Sequence, residues 1–206
     1  MTVRKAPLPR PKRKVAYHHV DLRRALLDAA IVHLRSGDVT SLTMQSLGRA
    51  AGVSPGAPYH HFADKVEVLA ALAEEGFARW LVLAERAVAR ASTPLAALTA
   101  LGRSWLAFAA SHPSHYRVMF LSDIEDRERF ASLHETSARG LELLVGTLAR
   151  VDPRASKAEL LARAVTAWST LHGFASLKGA GVIGNIPGLP SVEVLEDAVI
   201  RGLVRP

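Results

Sequence analysis

Residues 41–65 read SLTMQSLGRAAGVSPGAPYHHFADK, and the punctuation of this stretch decides the fold. Thr43 is an N-cap residue by type, since its hydroxyl can accept from an orphan backbone N–H two or three residues on. Met44 and Leu47 face inward at helical spacing, and Gly48 is small enough to let another helix approach. Ala51-Gly52-Val53 reads as a turn. Gly52 takes a positive φ without steric cost, and Val53 plugs the angle between two helices. Ser54-Pro55 predicts the start of a second helix, with Ser54 as cap and Pro55 at the first helical position, where its missing N–H does no harm. Pro58, Tyr59, His60 and His61 follow on that helix, which is placed to enter a major groove.

Outward from this unit, helical periodicity continues in both directions. Leu22, Leu26, Ala29, Ala30 and Leu34 form one apolar stripe, predicting a first helix over about 20–35 with Gly37 just past its end. Asp64 is placed to cap a long helix over about 65–90, in which Val66, Leu69, Ala73, Phe77, Trp80, Leu81, Ala84 and Val88 recur at steps of three and four. Thr93-Pro94 starts another helix, and His112-Pro113 ends it. A short helix holds Tyr116, Met119 and Phe120. Longer ones are predicted over about 126–150 and 154–178, then a Gly/Pro-rich loop over 179–190, then a last helix capped by Ser191. The sum is an all-α chain of about nine helices. It shows no strand alternation of any length and no internal repeat.

Composition narrows the function classes. The 206 residues are 49% hydrophobic, enough for a substantial core, yet no apolar run reaches the length of a membrane span. The N-terminus is basic without the apolar core of a signal peptide, and the expectation is a cytoplasmic protein. The absence of cysteine excludes disulfides, thiolate nucleophiles and thiolate metal sites. The net charge of +7 falls wholly within residues 1–65, while the rest of the chain is balanced. Arg4, Lys5, Arg10, Lys12, Arg13 and Lys14 supply most of it. That asymmetry suits a front end that meets phosphate. The proline-bearing, aperiodic arm over residues 1–17 reads either as a solubilising tail or as an extension that touches the minor groove or backbone.

The run Ala51, Gly52, Val53, Ser54, then Gly56, Tyr59, His61, Phe62 and Lys65 resembles the DNA-binding signature of the tetracycline-repressor (TetR) family, over about a quarter of the chain. The resemblance implies an all-helical homodimeric transcription regulator with a ligand-responsive C-terminal domain. The division it implies is a helix-turn-helix domain over 18–65 and an effector-binding and dimerisation domain over 66–206. In that family the last two long helices form a four-helix dimer interface; by pattern alone they can equally complete the monomer core.

Roles follow from side-chain type. Tyr59, His61, Lys65 and Thr43 offer donors suited to phosphate, which fix register on double-stranded DNA. Base readers are expected on the exposed face of the second helix, from Pro55, Gly56, Ala57 and His60, with Gln45 reaching a neighbouring edge. His60 suits a guanine acceptor and Ala57 a thymine methyl. The plain alternative for His60 is a solvated surface residue. Pro58 departs from the family pattern, which has a non-proline apolar residue there; it removes an early helix bond and disfavours helical φ/ψ at Ala57, so the recognition helix is expected to begin irregularly. Phe62 reads as core.

In the C-terminal half, Trp168-x-x-x-His172-Gly173 resembles a Trp-His-Gly motif of one subgroup of TetR-type ligand domains. Trp168 and His172 share a helix face, where the imidazole meets either a ligand oxygen or a core partner. Trp105, Phe108, Tyr116, Met119 and Phe120 are candidate walls of an apolar pocket for a small hydrophobic effector, with core packing as the alternative. The competing class is a metal-dependent enzyme using His112, His115 and His172. Against it stand the absence of an HExxH motif, a phosphate-binding glycine loop or a nucleophile elbow. A third reading is a ligand-independent architectural DNA binder. No cofactor is expected.

Overall fold

Several helix starts fall where a side chain caps them; the last helix begins after Ser191 as expected, but Ser191 makes no capping hydrogen bond there. The computed structural model describes residues 19–36 and 38–204, and these form eight α-helices with four short 3-10 turns and no strand. The helices are α1 (His19–Ser36), α2 (Met44–Ala50), α3 (Lys65–Ala89), α4 (Pro94–Ser111), α5 (Pro113–Val118), α6 (Ala131–Val151), α7 (Lys157–Gly179) and α8 (Val192–Leu203). The basic arm expected over 1–17, and Gly37 after α1, lie outside the described residues. The Thr43 hydroxyl accepts from the Ser46 N–H at 3.0 Å while Ser46 Oγ accepts from the Thr43 N–H at 3.1 Å, a reciprocal cap for α2. Asp64 caps α3 through the Glu67 N–H at 2.9 Å, and Thr93 caps α4 through the Ala96 N–H at 3.1 Å. Each such cap contributes about 1 kcal/mol.

Four elements differ from the sequence reading. Met119 and Phe120, expected on the short helix with Tyr116, lie just past the end of α5 at Val118. The second helix of the helix-turn-helix, expected from Ser54-Pro55, is a 3-10 turn over Ala57–His60 preceded by Gly56. Pro58 is the reason: it has no N–H to give an α-helical bond, and its ring is buried against α2. A Cβ built on Gly48 would lie 3.0 Å from Pro58 Cγ. The helix expected from about 126 begins at Ala131, because Asp126 turns its carboxylate onto the N–H groups of Glu128 and Arg129. The helix expected from Arg154 begins at Lys157, where Ser156 and Glu159 form a reciprocal cap. At the turn after α2, Gly52 has φ +71, as read.

The N-terminal unit closes on Leu26, Ala30, Leu34, Leu42, Leu47 and Phe62, all nearly inaccessible to solvent. α3 then runs as the central column of the molecule and packs against α1, α4, α5 and α6. Its inner face carries Val68, Leu69, Leu72, Ala73, Phe77, Trp80, Leu81 and Ala84, all buried. A single unbroken helix with such a face packs against the core along its whole length.

The junction between the N-terminal unit and the rest is polar. Arg24 of α1 pairs with Glu75 of α3 at 2.6 Å, and Arg79 holds the other carboxylate oxygen. His115 of α5 is buried with its Nε2 3.5 Å from the same oxygen that Arg79 holds. α5 also grips the end of α1 directly: Ser114 Oγ donates to the Ile31 carbonyl and Arg117 to the Leu34 carbonyl, both at 3.3 Å. The Leu34 carbonyl is among the orphan carbonyls of the helix C-terminus, which Arg117 satisfies, while Ser114 adds a second bond to a carbonyl one turn earlier.

Two outcomes follow from this packing. Gly48→Ala should destabilise the protein by about 1 kcal/mol, because the strain against a rigid pyrrolidine ring exceeds the helix-propensity gain of similar size; thermal melting checks it, and an unchanged or raised Tm would count against the contact. His115 is held below the ordinary histidine range by burial, partly offset by the Glu75 carboxylate. Its unfolded pKa is about 6.5. Just below that pH the unfolded chain binds more protons at this site than the folded one, so the site's contribution falls as pH drops from there toward the folded value. The Tm of the wild type should therefore decline more steeply below about pH 6.5 than that of His115→Gln, and parallel Tm–pH curves would refute this.

Candidate DNA-binding surface and ligand cavity

The turn after α2 and the 3-10 segment project a set of unengaged donors from one corner of the molecule. Thr43, Gln45 and Arg49 are exposed on α2; Pro55, Gly56, Tyr59 and His60 are exposed beyond the turn; Ala57, His61 and Lys65 are half-buried. Tyr59 is 57% exposed, which leaves its phenol hydroxyl in solvent. Thr43 spends its lone pair on the Ser46 N–H, which leaves its hydroxyl hydrogen free to donate outward. Tyr59, His60, His61 and Lys65 make no side-chain hydrogen bond or ion pair among the described residues. Arg49, in the last turn of α2, joins this surface and was not singled out from sequence; its exposed position three residues before Gly52 was the available signal.

A second feature is a cavity of about 420 Å³ walled by α3, α4, α6, α7 and the segment after α5. Its inner walls are Phe77 and Trp80 of α3, Leu98, Leu101 and Trp105 of α4, Leu144 of α6 and Leu171 of α7, with Leu203 of α8. Two glycines make this arrangement possible. A Cβ on Gly140 would lie 2.7 Å from Trp80 Cζ3, and one on Gly102 would lie 2.8 Å from Ile200 Cδ1 and Leu203 Cδ1. The indoles of Trp80 and Trp105 meet edge to face at 4.8 Å and 89°. Were the space sealed and empty, a cost of ~24 cal/mol per Å³ would reach roughly 10 kcal/mol, comparable with the whole stability of a domain. A void of this size is sustained only if it is open or filled. The mouth is flanked by Leu141 and Trp168, which are 36% and 40% exposed.

The residues singled out from sequence divide over this site. Trp105, Met119, Phe120 and Trp168 line the cavity; Phe108, Tyr116 and His172 are not in its lining. Phe108 stacks on His112 at 4.7 Å and 10°. Tyr116 OH lies 2.8 Å from His172 Nδ1, and the His172 ring packs 4.3 Å from Phe120. Burial pushes the Tyr116 phenol up to about 12, so it keeps its proton and donates. Burial holds His172 below the usual histidine range, so its neutral Nδ1 accepts. His172 thus stands one side chain behind the cavity wall, bracing Phe120. The Trp105 N–H lies near the Tyr116 oxygen without full hydrogen-bond geometry, and the Trp80 N–H is buried with no acceptor.

Of the three histidines weighed as metal ligands, His112 and His115 are neighbours, with ring centroids 6.0 Å apart, but His112 stacks on Phe108 and bonds Ser111, His115 faces Glu75, and His172 is engaged apart from them by Tyr116. Among the described residues no group of three His, Asp or Glu side chains gathers at metal-binding distance, so these three do not form a shared ligand set. No helix among them is long and apolar enough to cross a membrane.

Comparison with known proteins agrees with both halves. Residues 26–72 match the profile of bacterial regulatory proteins of the tetR family, and residues 98–203 match the tetracyclin repressor-like C-terminal domain. A structure of a protein of unknown function from Rhodococcus sp. RHA1 is 31% identical, covers 93% of this chain and 100% of its own, and superposes with a TM-score of 0.70. The TetR family transcriptional regulator PfmR from Thermus thermophilus shares 21% identity over 88% of this chain and 100% of its own, with a TM-score of 0.65. The fatty acid degradation regulator FadR from Bacillus halodurans shares 18% identity over 89% of this chain and 94% of its own, with a TM-score of 0.69. No curated protein matches the chain at a significant level. With its C-terminal match alone spanning more than half of its length, the chain belongs to the tetR family of bacterial regulatory proteins and is a DNA-binding transcriptional regulator.

Proposed function

We propose that this regulator is a homodimeric repressor released from a palindromic operator by a small hydrophobic effector bound in the cavity. One observation carries the reading. The short segment 113–120 serves two masters: Ser114 and Arg117 bond the Ile31 and Leu34 carbonyls in the last two turns of α1, while Met119 and Phe120, one turn on, form part of the cavity wall. An occupant that displaces Phe120 pulls on the element that positions the N-terminal unit. Release requires that the effector bind the DNA-incompetent arrangement more tightly than the competent one.

Pairing of two copies is supported by the outer face of the last two helices. Leu161, Val165 and Trp168 form an exposed stripe along α7, and Val194 is exposed on α8. Such a stripe of large apolar side chains suits an isologous contact, in which the same patch of each copy meets across a two-fold axis. Two N-terminal units held that way read inverted half-sites. Within each unit, Thr43, Tyr59, His61 and Lys65 set the register on phosphate. Pro55, Gly56, Ala57, His60 and Gln45 face the bases, and Arg49 adds a cation beside them. Chemistry on a substrate has no matching support in this arrangement.

Selection of bound duplexes from a random pool, followed by anisotropy titration of the winning site, tests the reading. Lys65→Ala should weaken binding to all duplexes alike and reduce the salt slope by about one unit, since one fewer counterion is released. His60→Ala should lose about 1–3 kcal/mol at one base pair and little elsewhere. The reverse assignment of the two effects would show that another face meets the bases. Val165→Glu should convert a dimer to a helical monomer in light scattering and circular dichroism; a wild-type monomer at micromolar concentration would overturn the paired reading.

A further inference from the structure

We propose that the cavity takes an apolar molecule ending in a single anionic head, of the chemical class of a medium-chain carboxylic acid, with its tail among the indoles and its carboxylate at Arg127 and His134. The inference rests on the reading of the cavity as the effector site and adds the chemistry of its ligand. The inner walls carry no ionisable side chain; every ionisable group of the lining lies on the stretch from Glu125 to His134. That segregation fits an amphiphile and not a molecule with polar groups along its length.

Donors outnumber acceptors at that end. Arg127 is exposed and makes no ion pair among the described residues, whereas its neighbours are committed: Arg129 pairs with Asp64 at 2.6 Å, and Asp126 accepts from two backbone N–H groups. His134 is half-buried and its Nε2 is buried with no hydrogen-bond partner. Leaving such a nitrogen unpaired is unfavourable, and His134 lines the cavity, where an oxygen of a bound head group would satisfy it. Ser137 is already engaged, its hydroxyl donating to the His134 carbonyl at 3.0 Å. Glu125 is the one acid in the lining. It is exposed and free to turn to water, so it does not oppose a carboxylate held by Arg127 as a buried acid would. A guanidinium and a carboxylate match in planar, two-point geometry, which favours a carboxylate over a lone hydroxyl.

The protein carries its own reporter, because all three of its tryptophans, Trp80, Trp105 and Trp168, line the cavity. Tryptophan emission of the full chain is titrated with octanoate, decanoate and laurate, and with decanol and decylamine as head-group controls. The expected result is saturable binding of decanoate or laurate, tighter than that of decanol and much tighter than that of decylamine. Arg127→Gln should weaken decanoate about tenfold and leave decanol unchanged, as expected for loss of one charge-assisted contact near solvent. His134→Gln should weaken decanoate to a lesser degree. Equal affinity for decanoate and decanol, preference for decylamine, or indifference to Arg127→Gln would overturn the head-group assignment while the cavity remains a ligand site. Absence of saturable binding by every probe would overturn the proposal together with the cavity reading.

Discussion

The structure turns on two indoles packed edge to face at the centre of the bundle. Trp80 and Trp105 meet at 4.8 Å, and the chain of ring contacts continues through Tyr116, Phe120 and His172. Edge-to-face pairs are favoured by the ring quadrupole by about 0.5–1.5 kcal/mol each beyond burial. Rigid plates held at steep angles cannot fill space as branched aliphatic side chains do. The cavity beside them is the geometric consequence, and Gly140 and Gly102 fix its shape by admitting Trp80 and the end of α8. A leucine-rich core at the same positions would close up and leave nothing for a ligand to enter.

The aromatic chain also decides where an occupant can be felt. Phe120 touches Trp105, Tyr116, His172 and Phe77, and it stands just after the helix whose Ser114 and Arg117 hold the end of α1. The polar junction of Arg24, Glu75, Arg79 and His115 lies on the same helix and its neighbours. Packed aromatic contacts resist compression, so on the proposed reading a displacement of Phe120 would be passed along the segment and not absorbed. Coupling would then follow a contiguous physical path, with the N-terminal unit at one end and the cavity at the other.

Much of the fold was legible in the sequence because it was written locally. Thr43, Asp64 and Thr93 stand three residues before the N–H groups that they satisfy, and Gly52 takes its positive φ at the turn. The site was less legible because its contacts are distant in sequence. Tyr116 and His172 are 56 residues apart, and nothing at either position announces the bond that takes His172 out of the lining. Arg127 and His134 come together with Trp168 only after α6 and α7 pack. Arg127 belongs to no motif in the sequence, and only the cavity beside it gives it a meaning.

Pro58 joins the local and distant levels. Locally it forbids a regular helix and yields the 3-10 turn over Ala57–His60. At long range its ring rests on Gly48, so the turn is fastened to α2 by a contact between two residues with no freedom to move apart. A 3-10 turn is tighter than an α-helix, and its side chains at i and i+3 eclipse. Ala57 and His60 therefore project in nearly the same direction, with Tyr59 aimed to one side and 57% exposed. The surface offered to DNA is narrower than a full recognition helix would present. On the proposed reading, fewer side chains meet base edges at once, and more of the binding energy falls to the phosphate contacts around them. Sequence discrimination would then depend on doubling the short surface through a second copy, which would make the exposed stripe of α7 as consequential for DNA recognition as the turn itself.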